Sequence, residues 1–320
     1  MDTYSKTEKQ ILTQLQRGIE ITSLPFQTSE MLEVLNKAQA DGLVRRFGGV
    51  FDARRLGYKS ILCALDVPKE QIKEKAVIIA AHSGVTHCYE RVPVGDGHYP
   101  NLWFTLAALH DEFDAEITSL NSSLASCHSP LLQLPALRRF KIDVVFDLTG
   151  NESMARTSVV PESGTPDFSE DEKKLVRAMD QKIPMVERPF KAVAEQIGQS
   201  EEFVLQTLRA WKELGMLRRI GAILYHREAG FTANAMCVWP VDGDIAAAGH
   251  CVAARSEVTH CYQRPRLDAF PFDLYAMIHA ADREKIRDLF KGISSACGLS
   301  GGELFVSGRE FKKTSMQYFR

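Results

Sequence analysis

Seven cysteines are scattered through the 320 residues, and no two of them form a C-x-x-C pair. Structural zinc and a disulfide framework are therefore not expected, and this cysteine usage fits a reducing cytoplasm. No apolar run approaches the roughly 20 residues that a membrane span needs. The opening Met1-Asp2-Thr3-Tyr4-Ser5-Lys6 lacks the basic-then-apolar pattern of a signal peptide. Charge of either sign is not in excess: 39 Lys and Arg against 41 Asp and Glu leave a formal charge of −2. That balance gives no general attraction to nucleic acid or to an anionic membrane. What remains is the composition of a globular chain long enough for two ordinary domains.

What is there is a repeat, and its period is far too long for a solenoid. Val85-Thr86-His87-Cys88-Tyr89 recurs letter for letter as Val258-Thr259-His260-Cys261-Tyr262, 173 residues later, each followed at the same distance by an arginine, Arg91 and Arg264. The same shift carries Arg45-Arg46-Phe47-Gly48 onto Arg218-Arg219-Ile220-Gly221, and Gly57-Tyr58 onto Gly230-Phe231. Nearer the N-terminus the shift is 164, taking Glu8-Lys9 onto Glu172-Lys173 and Pro25-Phe26 onto Pro189-Phe190. Nine residues are thus absent from the first half between Phe26 and Arg45.

The second half keeps what the first has lost. A short helix over 190–198 ends at Gly198, and Ser200-Glu201-Glu202-Phe203 is an N-cap with acids in the first turn. A second helix then runs through Val204, Leu205, Leu208, Trp211 and Leu214 to Gly215, ahead of a short strand over 217–225. Helix, glycine turn, helix and strand make a winged helix-turn-helix. The first half opens with helical spacing at Ile11, Leu12 and Leu15, and keeps the last helix over 29–40. After each module, strands and helices alternate. In the first half they are expected at 60–67, 70–82, 86–92, 102–108, 112–125 and 137–146. In the second they are expected at 234–239, 243–254, 259–264, 274–279, 283–297 and 303–309. Both series read β-α-β-β-α-β, the ferredoxin-like split unit.

The expected fold class is α+β: a tandem repeat of a winged helix-turn-helix plus a ferredoxin-like domain, with the two halves pairing as a pseudo-dimer. The boundaries are 1–58 (truncated winged module), 59–148 (ferredoxin-like), 149–168 (linker rich in Ser, Thr, Gly and Pro), 169–231 (winged helix-turn-helix) and 232–320 (ferredoxin-like).

This order of modules resembles the Lrp/AsnC transcription regulators, whose ferredoxin-like domains pair as dimers. A more specific resemblance lies in the Arg-Arg-Phe/Ile-Gly wing, the Val-Thr-His-Cys-Tyr-x-Arg strand, Asn101-Leu102-Trp103-Phe104-Thr105 and the tail Arg309-Glu310-Phe311-Lys312-Lys313-Thr314-Ser315. These are similar to the siroheme decarboxylases, Lrp-like proteins found as two related subunits or as one fused chain. Over nearly its whole length the sequence resembles the fused form. The resemblance implies removal of CO2 from the acetates at positions 12 and 18 of siroheme. The product, 12,18-didecarboxysiroheme, leads to heme or to dioxo-heme. It also implies no cofactor, since the iron belongs to the substrate, and as partner siroheme or a related iron tetrapyrrole. Neither nucleic acid nor a membrane is expected as a partner; a higher homo-oligomer is left open.

The residues suit that chemistry. Siroheme carries eight carboxylates around a flat apolar ring, so a site needs cations at the rim and apolar walls at the faces. Arg45, Arg46, Arg91, Arg218, Arg219 and Arg264 are the rim candidates, because a guanidinium pairs a carboxylate bidentately and stays charged. Trp103, Phe104, Phe272 and Tyr275 are candidate walls, and His98, in the loop Gly95-Asp96-Gly97-His98-Tyr99-Pro100, is a candidate for reaching the substrate or for plain exposure. Losing CO2 needs a proton donor, and histidine titrates in the useful range. His87 and His260 sit mid-strand with Tyr89 and Tyr262 two residues on, on the same face. The expected roles are His as general acid and Tyr89 or Tyr262 as a hydrogen-bond partner.

Plainer readings stand beside these. A strand histidine is more often structural, though two identical copies in otherwise diverged halves favour function. Cys88 and Cys261 alternate to the other face and read as core. One arginine of each wing pair reads as a solvated charge. His226, where the first half has Ala53, reads as a surface residue, with ligation of the substrate iron as the alternative. His82, His110, His128, His250 and His279 read as structural. The rival classes are a ligand-responsive transcription regulator and a tetrapyrrole carrier. Against the regulator stand the missing helix, the acids Glu201 and Glu202 at the would-be reading helix, and the net charge.

Overall fold

Two serines start the two halves in the same way. The Ser5 hydroxyl accepts from the Glu8 amide while the Glu8 carboxylate accepts from the Ser5 amide, and Ser169 and Glu172 repeat this box 164 residues on. In the computed structural model, which describes residues 3–124, 129–142, 167–225, 233–280 and 282–319, the first half runs α1 (Lys6–Arg17), α2 (Ser29–Ala40), β1 (Val44–Phe51), β2 (Tyr58–Leu65), α3 (Ile72–Ala81), β3 (Val85–Pro93), β4 (Leu102–Leu109), α4 (Phe113–Ser123), β5 (Leu132–Pro135) and β6 (Arg138–Ile142). The second runs α5 (Glu170–Asp180), α6 (Pro189–Ile197), α7 (Glu201–Glu213), β7 (Leu217–Leu224), β8 (Ala233–Trp239), α8 (Ile245–Ala253), β9 (Val258–Gln263), β10 (Leu274–Ala280), α9 (Arg283–Ala296) and β11 (Glu303–Lys313). The first half has no counterpart of α6, as the nine-residue deficit requires. The expected linker and His128, His226, Gly230 and Phe231 fall wholly or mostly outside the described residues.

The two winged modules are not separate bodies. Their wing strands β1 and β7 pair with each other, antiparallel, with Gly48 opposite Gly221. The first helix of each module packs on the wing of the other: Ile183 N–H donates to Phe47 C=O, and Ile19 N–H to Ile220 C=O. The glycines permit this approach. A Cβ on Gly48 would lie 2.6 Å from the Met179 and Gln181 carbonyl oxygens, and one on Gly221 would lie 2.5 Å from that of Leu15. One apolar core follows, in which Leu12, Leu15 and Phe47 pack with Leu175, Phe190 and Leu208.

The ferredoxin-like halves merge in the same manner. One nine-stranded sheet has the order β5-β2-β4-β3-β11-β8-β10-β9-β6. The strand expected over 137–146 is β6, described over Arg138–Ile142, and an unexpected strand, β5, precedes it across Ala136 and Leu137. β5 completes its own half on β2, and β6 crosses to β9 of the other half. β11 does the same without a full break, pairing first with β8 and then, through bulges, with β3. Because β5 and β6 lie at opposite ends of the sheet only two residues apart, the sheet rolls until its ends meet. Its inner face holds a shared core of Trp103, Leu134, Val238, Phe270, Tyr275 and Phe305. Its outer faces are covered by α3 with α4 and by α8 with α9.

One expectation is overturned here. Cys251 in α8 and Cys297 at the end of α9 form a disulfide across the outer face. The cysteines lie 46 residues apart in sequence, so no local spacing marks them; only the side-by-side packing of α8 and α9 brings them together. Among the described residues, no helix is long and apolar enough to cross a membrane.

Candidate active site

Alternation along β3 and β9 sorts the repeated pentapeptide into two faces. Cys88 and Cys261 enter the cores beneath the outer helices. His87, Tyr89 and Arg91 face inward, as do His260, Tyr262 and Arg264. Tyr89 stands directly across from Trp103, and Tyr262 from Tyr275. In each copy the three side chains form a ladder. The His and Tyr ring centroids are 6.1 Å apart in the first and 6.3 Å in the second. The arginine then lies over the tyrosine ring, at 5.8 Å for Arg91 and 4.9 Å for Arg264.

Each imidazole is held from behind by the preceding threonine. His87 Nδ1 shares a hydrogen bond with Thr86 Oγ1 at 3.0 Å, and His260 Nδ1 with Thr259 Oγ1 at 3.0 Å. Nε2 is left as the working edge. Burial, then the cations Arg45 and Lys313, then His260 itself, push His87 down to about 4. Burial, with Arg218, Arg264 and Lys141, pushes His260 down to about 4 as well. The two histidines thus lie within electrostatic reach of each other, and both are neutral near pH 7. Burial raises Tyr89 and Tyr262 above the ordinary phenol value, so both remain protonated donors.

Arg91 is buried and Arg264 half-buried, and no described carboxylate pairs with either. Arg91 donates only to Ser307 Oγ at 3.4 Å and Met277 Sδ at 3.7 Å, and Arg264 to the Leu134 carbonyl. Their Nε atoms have no partner. Burial pushes Arg91 down to about 10. A guanidinium held this way carries an unmet desolvation penalty, which an incoming anion relieves.

The wing pairs divide. Arg45 reaches the first ladder and donates to Ser315 Oγ at 2.9 Å, again with no described carboxylate partner. Its mate Arg218 reaches the second ladder but is ion-paired to Asp52 at 2.9 Å. Arg46 is no solvated charge: it is ion-paired to Asp180 at 2.9 Å and donates to the Gly49 carbonyl at 3.1 Å, on the wall of the cleft that Arg45 also lines. Arg219 faces away from the ladders, into a cleft beside Arg17 and Gly18. A second cleft of about 610 Å³ opens at Arg45, with Arg177, Lys182 and Ser315 on its walls.

Three other expectations move. Trp103 is 1% exposed, packs between Phe270 and Phe305 and donates its indole N–H to the Pro100 carbonyl, so it is core beneath the ladder and no wall of a cavity. Phe104 lies on the helix-covered side. His98 projects into solvent, its side chain 87% exposed and paired with Asp66 at 2.7 Å. Sequence reasoning missed Lys313, opposite His87, and Glu310, opposite Tyr89. It also missed Arg139, opposite Tyr262, and Asp52, which binds Arg139 and Arg218. The signal for the first two was the tail of the chain, quoted there without a role. Asp52 could have been flagged by asking what stands 173 residues on, which is Tyr225.

Comparison with known proteins agrees with this architecture. A family model described as an AsnC-like ligand binding domain matches residues 55–141 and 228–312, and a siroheme decarboxylase NirDL-like HTH domain matches 172–218. The chain is 37% identical to a siroheme decarboxylase of Hydrogenobacter thermophilus over 319 residues, 97% of this chain and 94% of that protein. It is 32% identical to the siroheme decarboxylase NirDL subunit of Paracoccus denitrificans over 87% of this chain and 86% of that one. Among solved structures, a siroheme decarboxylase NirDL superposes with a TM-score of 0.74 at 32% identity, covering 99% and 95% of the two chains. A second structure of it, in complex with an iron-uroporphyrin III analogue, matches equally. Two AsnC-like domains, a NirDL-like helix-turn-helix and full-length relatives of one kind leave one assignment: the chain belongs to the siroheme decarboxylase family.

Proposed function

We propose that this chain decarboxylates siroheme, converting the acetates at positions 12 and 18 to methyl groups and yielding 12,18-didecarboxysiroheme. The carrying observation is the pair of inward His-Tyr-Arg ladders whose arginines, Arg91 buried and Arg264 half-buried, have no described carboxylate partner. Arg91, Arg264 and Arg45 supply the anion sites a polycarboxylate ring requires. A relative solved with an iron-uroporphyrin III analogue supports a substrate of that class. The reaction needs no cofactor, since the macrocycle itself takes the electrons and the iron arrives with it. It is proposed to run in the cytoplasm; the Cys251–Cys297 disulfide is the observation that stands against a reducing compartment.

The chemistry asks for protons at two moments. A ring carbon is protonated first, which makes the macrocycle an electron sink. The bond to the carboxylate then breaks, CO2 leaves, and its electron pair enters the ring system. The methylene carbon next takes a proton to become methyl, and the ring carbon gives one back. The net change is one carboxylate and one proton in, one C–H bond and CO2 out. His87 and His260 are the proposed donors. They are neutral in the empty site, but the substrate's carboxylates bring negative charge that raises their pKa and loads them. Tyr89 and Tyr262 hold the acetate by hydrogen bond. Exclusion of water from the scissile carboxylate adds to the rate.

The test is anaerobic incubation of the full chain with siroheme, following product mass. Loss of two CO2 is expected. Tight binding with no change of mass would overturn the enzyme reading in favour of a carrier.

A further inference from the structure

Each copy of the site holds a carboxylate supplied by the protein, and the two carboxylates are placed differently. The strands bordering the ladders run in the same register. β11 sets Glu310, Lys312 and Lys313 opposite Tyr89, Cys88 and His87, and β6 sets Arg139, Lys141 and Ile142 opposite Tyr262, Cys261 and His260. The residue across from the tyrosine is therefore an acid in one copy and a guanidinium in the other.

At the His260 copy the acid is Asp52, brought there by the wing. Its N–H donates to Met216 C=O at 2.8 Å, as Tyr225 N–H, 173 residues on, donates to Leu43 C=O at 3.0 Å. The Asp52 side chain is 3% exposed, and its Oδ2 accepts from Arg218 Nη2 at 2.9 Å and from both Arg139 Nη atoms at 3.1 Å. Burial opposes its ionisation, but Arg218 and Arg139 outweigh that and hold its pKa below the ordinary carboxylate value. A carboxylate clamped in this way keeps its charge, and a guanidinium does not give up a proton.

At the His87 copy the acid is Glu310. It accepts a hydrogen bond from the Tyr89 hydroxyl and lies 4.0 Å from Lys313. Its side chain is 40% exposed, so one carboxyl group touches both solvent and the ladder. The groups that face it are Tyr89 and His87 from β3, Lys313 from its own strand, and Arg45 from β1, with Tyr225 beyond Arg45. The Tyr89 hydroxyl has a single proton, and in the empty site Glu310 takes it. A substrate acetate docking at Tyr89 competes for that proton and sets a second negative charge beside Glu310. Two carboxylates around one phenol favour taking up a proton between them.

We propose that Glu310 is the proton store of the His87 copy: it takes a proton from solvent as a substrate acetate docks on Tyr89, and passes it inward through the Tyr89 hydroxyl. This rests on the decarboxylase reading for the identity of the substrate. Each loss of CO2 leaves one new C–H bond, so turnover consumes one proton per acetate. Once His87 has protonated the methylene carbon, the Tyr89 hydroxyl gives its proton towards His87, whose ring centroid is 6.1 Å away, and takes the one on Glu310. Glu310 is left ionised for the next cycle. The His260 copy, with Arg139 in the mirrored place, is reloaded by another route.

The test is infrared difference spectroscopy of the full chain on binding iron uroporphyrin, an octacarboxylate, with proton uptake followed in weak buffer. Binding is expected to bring up the carbonyl stretch of a protonated carboxyl group. In Glu310→Gln, an isosteric change at an exposed position, that band is expected to be missing and uptake to fall by about one proton per ring. An equal band in the two proteins overturns the proposal. Reduced uptake with an unchanged band places the proton on His87 and overturns it too. The readout is binding, so the two ideas fail separately. A Glu310-dependent band with no CO2 lost from siroheme removes the enzyme reading alone. Two CO2 lost with an equal band removes the role of Glu310 alone. No binding of the ring removes both.

Discussion

Arg91 is a buried charge and Arg264 a half-buried one, both kept without a described acid partner, and that is costly in the empty protein. Arg91→Met should therefore leave thermal stability unchanged or higher while weakening iron uroporphyrin binding at least tenfold. A melting curve beside a Soret titration checks both halves of that expectation. The two histidines predict a pH dependence of stability. Unfolded imidazole titrates near 6.5, and both folded ones near 4. As pH falls through that window the unfolded chain takes up protons first. The contribution is thus full above about 6.5, declines between about 6.5 and 4, and levels off below. Urea midpoints over this range should show the slope, and His87→Ala should make it shallower. The inward face of the ladder was legible from alternation alone. The partners of Arg46 and Arg218 were not, because Asp180 and Asp52 come from the opposite half through the pairing of β1 with β7.

At the scale of elements, the glycines of the wings carry a close approach that no side chain tolerates. Gly48→Ala pushes a Cβ against two backbone carbonyls and should cost about 1–3 kcal/mol. Gly292, mid-helix in α9 with open space where a Cβ would go, gives the opposite sign: Gly292→Ala should stabilise by about 0.5–1 kcal/mol. Denaturant titration of both variants checks the pair. Helices with caps and strands with clear alternation were readable to within a few residues. The strand over 137–146 was found as β6, but β5 ahead of it and the crossing were not, because nothing local signals that a chain will leave one sheet edge for another; the pairing of β6 with β9 is decided by where β9 ends up. The Cys251–Cys297 bridge was invisible for the same reason, since it depends on which helices lie side by side.

For the whole molecule, the shared cores mean that neither half is a complete folding unit. Leu12 and Phe47 pack with Leu175 and Leu208, and β6 and β11 each finish the other half's sheet. Either half expressed alone should give a poorly folded or self-associating product. The two co-expressed as separate chains should form a stable one-to-one complex, which size-exclusion chromatography and circular dichroism can check. The pseudo-dimer was legible because the repeat spans nearly the entire chain. The interlocking was not, since swapped and unswapped strands have the same sequence pattern.

Joining the halves in one chain also changes what substitution can do. A symmetric dimer writes every residue twice, so an acid beside one arginine is an acid beside both. Here the codon at position 52 and the codon at position 225 vary independently, although their backbones share one pose. A single base change can then alter one seat and leave its twin untouched. For a substrate whose own side chains lack twofold symmetry, that independence lets the protein match the ring one edge at a time.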